Sequence, residues 1–131
     1  MGHRVDVVTM GFKGLPRFEV VDGINVHRVR CLRARKDICR TYEMVTYALS
    51  ALPLSVKLAR KNRYDINHTH FIFPSAFTSF FLKKFTGLPY VVTSHGSDVQ
   101  GYNPDRFKLE HTLFKPLWRM LAQGAERITS P

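Results

Sequence analysis

YDINHTHFIFPSAFTSFFLKKFTGLPYVVTSH, residues 64–95, decides the fold. Its two ends, YDINHTHF (64–71) and LPYVVTSH (88–95), are short and carry the β-branched and aromatic residues that favour strands. Between them Pro74-Ser75 opens a helix over residues 75–86, which Gly87 closes with Pro89 beyond it. A strand, a helix and a strand in that order need a crossover, and such a crossover pairs the strands in parallel. Ligands of parallel sheets sit outside the carboxyl ends of the strands. Both strands end in histidine: His68 and His70 on the first, His95 on the second.

The pattern extends in both directions. Downstream, a helical region near 106–123, disturbed at Pro116 and ended by Gly124, leads to a further strand in ERITS (126–130). Upstream, RVDVVTM (4–10) reads as a strand, and FEVVDGINVHRV (18–29) reads as a hairpin turning at Asp22-Gly23. Residues 30–40 form a basic loop. Thr41 is the expected cap of a helix over 42–62, with Glu43 in its first turn and Lys57, Arg60 and Lys61 in its last, and Pro53 is expected to kink or split it. The fold class that follows is α/β: a parallel sheet with helices on its faces.

A length of 131 residues suits one domain, and 44% hydrophobic with 23% charged residues is the composition of a soluble globular chain. Twenty Lys and Arg against ten Asp and Glu give a net charge of +10, which favours anionic partners. No basic heptads, zinc finger or aromatic RNA-binding signature is present, so nucleic acid is not the expected partner. Cys31 and Cys39 match neither a zinc signature nor C-x-x-C; two free thiols in a reducing cytosol are expected, with a disulfide between them as the alternative. No signal peptide is visible, and the longest charge-free runs, 44–56 and 71–82, are shorter than the ~20 residues that span a bilayer. The expected location is cytoplasmic, with peripheral attachment to the cytoplasmic face of the membrane as the alternative.

The chemistry-bearing residues cluster at the strand ends. His95 can donate to a sugar hydroxyl or a phosphate oxygen, and an imidazole is the side chain suited to proton exchange at neutral pH. Gly96 lets a ligand or a turn come close, Ser97 adds a hydroxyl, and Asp98 can accept from hydroxyls or cap the next segment. His68 and His70 share one face of their strand, either as backbone-bonded rim histidines or as part of a cleft. His68, His70, His95 and Asp98 can also be read as four ligands of a small metal-dependent hydrolase. Phe71, Phe73, Phe77, Phe80, Phe81 and Phe85 are chiefly expected in the core, although outward rings beside Lys83 and Lys84 would favour a lipid interface. Arg33, Arg35 and Lys36, with Lys83 and Lys84, make a candidate anion or membrane patch.

Taken together, GHRVDVVT, DGINVHRV, YDINHTHFIFPSAF, GLPYVVTSHGSDV and GAERITS resemble the amino-terminal, acceptor-side Rossmann domain of retaining, nucleotide-sugar-dependent glycosyltransferases of the family 4 type. The resemblance covers almost the whole chain in the family's order. It implies the two-Rossmann-domain GT-B architecture and transfer of a sugar from a nucleotide diphosphate with retention. It places His95 in the interdomain cleft near the donor sugar and its phosphates, with Gly96, Ser97 and Asp98 shaping that loop and His68 and His70 on the acceptor side. No metal or other cofactor is expected, and the acceptor is a sugar or a lipid-linked molecule.

The same resemblance implies that residues 1–131 are one partial domain. The family's first strand and helix would be missing before Met1, and the donor-binding domain after Pro131. The chain alone is then expected to be inactive, and strands that flank the missing one would lose a partner, inviting a homodimer or a companion donor-domain chain. A non-catalytic membrane-recruiting subunit of a two-chain glycosyltransferase is the second reading.

Overall fold

The computed structural model describes residues 2–33, 40–95 and 108–130. Along the chain run β1 (Asp6–Met10), β2 (Phe18–Val21), β3 (Ile24–Val29), α1 (Thr41–Lys61), β4 (Asn67–His70), a π-helical turn (Ile72–Ala76), α2 (Phe77–Thr86), β5 (Tyr90–Thr93), α3 (Lys108–Gly124) and β6 (Arg127–Thr129). The chain is α/β, and the strand–helix–strand order expected from residue 64 onward is present.

The described strands form two three-stranded sheets, in the orders β1–β3–β2 and β4–β5–β6. In the first, β3 runs parallel to β1 and antiparallel to β2. The β2–β3 hairpin turns at Asp22 and Gly23, with φ of 50° and 79°. Two successive positive φ values match a turn whose twist suits the flanking strands, and Gly and Asp bear them at low cost. The second sheet is wholly parallel, with His68 level with Val91, His70 with Thr93, and Thr93 with Thr129. β1 and β4 are each a sheet edge. The Tyr47 hydroxyl donates to the Val8 carbonyl of β1 at 3.2 Å.

Helices α1, α2 and α3 all contact the π-helical turn; α1 packs against β1 and β3, and α2 against β5. Val8, Met10, Val29 and Cys31 meet Tyr47, Ala51 and Leu54 of α1 in one core. Ala76, Tyr90, Val92 and Leu121 are fully buried in the other, with Ile72, Phe77, Phe80 and Leu117 around them. Phe71 and Phe85 remain exposed and do not join the core. Cys31 is a free thiol that donates to the Gly11 carbonyl, and Cys39 lies outside the described residues.

Further details differ from the sequence reading. Thr41 is the first helical residue of α1, not its cap. Arg40 occupies the cap position, and buried Glu43 accepts its backbone N–H at 2.8 Å. Pro53 does not split the helix, which runs unbroken from Thr41 to Lys61; it lies on the same exposed stripe as Leu49, whose carbonyl it deprives of a donor where solvent can take over. Tyr64, Asp65, Ile66 and Phe71 fall outside β4, and Tyr64 instead reaches Asp6 of the other sheet.

Two outcomes follow from this packing. The end of α3 lies against β5, where the buried Tyr90 hydroxyl donates to the Leu121 carbonyl at 2.6 Å. A Cβ on Gly124 would stand 2.7 Å from that hydroxyl oxygen and 2.9 Å from Phe80, so Gly124→Ala should lower stability by about 1–3 kcal/mol in urea denaturation. Burial alone would raise the Asp6 carboxyl, but hydrogen bonds from His27, Tyr64, Arg4 and Asn25 outweigh it and hold Asp6 at about 2. A carboxyl depressed in the folded state stabilises above its unfolded pKa, so this contribution is complete above pH ~4 and fades as the pH falls toward 2. Asp6→Asn should remove about 2 kcal/mol at neutral pH and flatten the acid limb of a stability–pH curve.

Candidate functional site

The site begins with the alternation of β4. Asn67 and Thr69 turn toward the helices, where the Asn67 amide donates to the Ser79 hydroxyl at 2.7 Å and Thr69 bonds the same hydroxyl. Thr69 and Ser79 are both buried. Side chains alternate along a strand, so anchoring 67 and 69 inward sends His68 and His70 to the opposite, exposed face. The register with β5 then aligns His70 with Thr93, and His95 follows just beyond the strand end.

Three imidazoles meet there. The rings of His68 and His70 lie 4.6 Å apart at 30°, and those of His70 and His95 lie 5.2 Å apart at 29°. His70 Nδ1 and His95 Nε2 are 2.9 Å apart, so one ring donates and the other accepts. Phe71 lays its ring 4.7 Å from that of His95. It does so from a backbone at φ 69° and ψ 141°, a conformation unusual for a bulky residue, which turns the chain sharply as it leaves β4.

A second row of contacts holds His68. Its Nε2 lies 2.8 Å from the Thr93 hydroxyl, which lies 2.8 Å from that of Thr129, which in turn donates to the Val92 carbonyl at 3.4 Å. A carbonyl only accepts. All three contacts are satisfied together when Thr129 donates to Val92, Thr93 to Thr129, and His68 Nε2–H to Thr93, which assigns the His68 tautomer from the network. Partial burial and the neighbouring His68 and His95 charges hold the His70 imidazolium below its ordinary range.

The structure thus brings together His68, His70 and His95. Gly96, Ser97 and Asp98 lie outside the described residues, as do Arg35 and Lys36. Arg33 stands 6.0 Å over the Phe12 ring, and Lys84 stands 5.5 Å over Phe80. Lys83 pairs with Glu126 at 2.7 Å and donates to the Gly124 carbonyl at 3.0 Å, so its charge is spent joining α2 to the α3–β6 connection. Among the described residues no group of three His, Cys, Asp or Glu side chains has the geometry to hold a metal ion. The sequence reading missed Thr93, Thr129 and Phe71. The two threonines were findable from register: each falls on the histidine face once the parallel pairing is aligned.

A family model described as Glycosyltransferase Family 4 matches residues 1–131. The chain is 30% identical over 98 residues to an uncharacterized glycosyltransferase of Methanocaldococcus jannaschii, a match covering 75% of this chain and 24% of that protein. It is 29% identical over 110 residues to the 2-deoxystreptamine N-acetyl-D-glucosaminyltransferase of Niallia circulans, covering 79% of this chain and 28% of that protein. The match therefore spans about a quarter of the length of these relatives.

Titration of the histidine ring protons by NMR checks the cluster. The His70 midpoint should fall below the ordinary value of about 6.5 and move up in His68→Gln and in His95→Gln. Because the folded state disfavours charged His70, its contribution weakens stability as the pH drops below about 6.5, and His70→Gln should flatten that part of the curve.

Proposed function

Because the chain belongs to glycosyltransferase family 4, we propose that it forms the acceptor-side α/β domain of a glycosyltransferase that moves a sugar from a nucleotide diphosphate sugar to an acceptor, with retention at the anomeric carbon. The observation that carries this reading is the histidine rim at the carboxyl end of a parallel sheet, where ligands of such sheets sit. The relatives are several times longer, and on this reading the donor half is supplied by further polypeptide or by a companion chain. The name of the Niallia circulans relative, with a hydroxylated aminocyclitol as acceptor, supports a polar small-molecule acceptor over a macromolecular one.

Each rim residue then has a role. His95 donates to a donor-sugar hydroxyl or a diphosphate oxygen, stabilising the negative charge that builds on the leaving group. His70 positions His95 through the shared proton, and Phe71 fixes its ring from the side. His68, oriented by Thr93 and Thr129, offers its second nitrogen to the acceptor. Gly96, Ser97 and Asp98 would complete the loop around the sugar. Protein groups neutralise the diphosphate, and no metal enters the step.

The test uses the chain itself. Residues 1–131 on their own should show neither sugar transfer nor donor hydrolysis, while nucleotide sugars and amino- or hydroxyl-rich acceptors should shift the NMR signals of His70 and His95. Transfer or hydrolysis at a rate that survives His95→Ala would overturn the assignment. So would histidine signals that stay fixed across the whole ligand set.

A further inference from the structure

The outward stripe of α1 runs Tyr42, Val45, Leu49, Pro53, Lys57 and Arg60, in steps of three and four residues, and all six are exposed. A helix on a soluble domain ordinarily places polar residues on that stripe. Here its first two-thirds are apolar, with Leu49 63% exposed and Tyr42 45%. Beside it, Leu52, Pro53, Val56 and the 56%-exposed ring of Phe85 from α2 floor an open groove, and Lys57, Arg60 and Lys61 stand along its edge. The one acidic residue of α1, Glu43, is buried, and α2 has none. The α1–α2 face therefore combines apolar side chains with cations and presents no carboxylate of its own.

We propose that this face docks on an anionic phospholipid surface. Apolar side chains on one stripe with Lys and Arg beside them make the pattern of a helix lying in the headgroup region. The long stems of Lys57, Arg60 and Lys61 can cover the groove edge while their charges reach lipid phosphates. Cations held near such a surface are drawn to it by its negative potential. A second copy of the chain is a poor occupant, because a net charge of +10 on each copy would bring like charges together. Among the described residues no helix is long and apolar enough to cross a membrane, and surface attachment does not require one. The inference goes beyond sugar transfer and stands apart from it, since vesicle binding needs neither donor nor acceptor.

Flotation of the purified chain with vesicles tests it. The chain should float with phosphatidylcholine vesicles containing phosphatidylglycerol, stay behind with phosphatidylcholine alone, and be released by salt. Leu49→Ser with Phe85→Ser, and separately Lys57→Glu with Arg60→Glu, should each weaken binding by about tenfold or more. Lys13→Glu with Arg17→Glu changes the net charge equally at exposed positions between β1 and β2, and should weaken binding by less than about threefold. Circular dichroism should show all three variants folded. A loss in the Lys13/Arg17 variant as large as in the Lys57/Arg60 variant would reduce the effect to bulk charge and overturn the proposal. Failure to float with anionic vesicles at low salt would also overturn it. So would self-association abolished by Leu49→Ser without vesicle binding, which would assign the face to a second copy.

Discussion

The hydroxyl of Ser79 holds β4 in place. Asn67 and Thr69 both bond to it from the strand, and the strand's period of two then fixes where every other side chain of β4 points. A slip of one residue would bury His68 and His70 against α2 and expose Thr69, leaving imidazoles among apolar side chains without partners. The exposed histidine rim is thus a consequence of a small buried polar contact on the far side of the sheet. Parallel pairing with β5 then supplies the third ring, because His95 follows the strand that lies next to β4.

The two sheets are separate ladders, yet they are not independent. α1 packs on β1 and β3 through Tyr47 and Ala51, and it also contacts α2 and the π-helical turn that follows the rim. Tyr64, just before β4, bonds to Asp6 of β1, where His27 and Arg4 also converge. The carboxylate of Asp6 therefore joins an edge strand of one sheet to the connection that enters the other. Burying a charge costs less when several donors surround it, and here they are enough to lower the Asp6 pKa in spite of burial.

The sequence disclosed the strand–helix–strand order after residue 64, the Asp22-Gly23 turn and the helix ended by Gly87, because each rests on local chemistry that a few residues carry. It disclosed the meeting of His68, His70 and His95 as well, since parallel pairing places neighbouring strand ends together. It did not disclose the Thr93–Thr129 row, which exists only once three strands are in register. The cap of α1 lies one residue before the Thr41 that local sequence favours, because Arg40 has no side chain typical of a cap and the reciprocal bond comes from Glu43. The unbroken passage of α1 through Pro53 could not be read locally either: it depends on which side of the helix faces water. The division into two sheets depends on contacts between strands far apart in the chain.

If α1 docks on a phospholipid surface as proposed, Pro53 would also limit how deep it could sink. Its ring nitrogen carries no hydrogen, so the Leu49 carbonyl lacks its usual helical donor, and both residues lie on the outward stripe. In the hydrocarbon interior of a bilayer such a carbonyl would go unmet at a cost of several kcal/mol. Among headgroups, water can still reach it. On a phospholipid surface the proline would act as a depth stop, favouring a helix that rests among the headgroups over one that enters the acyl chains.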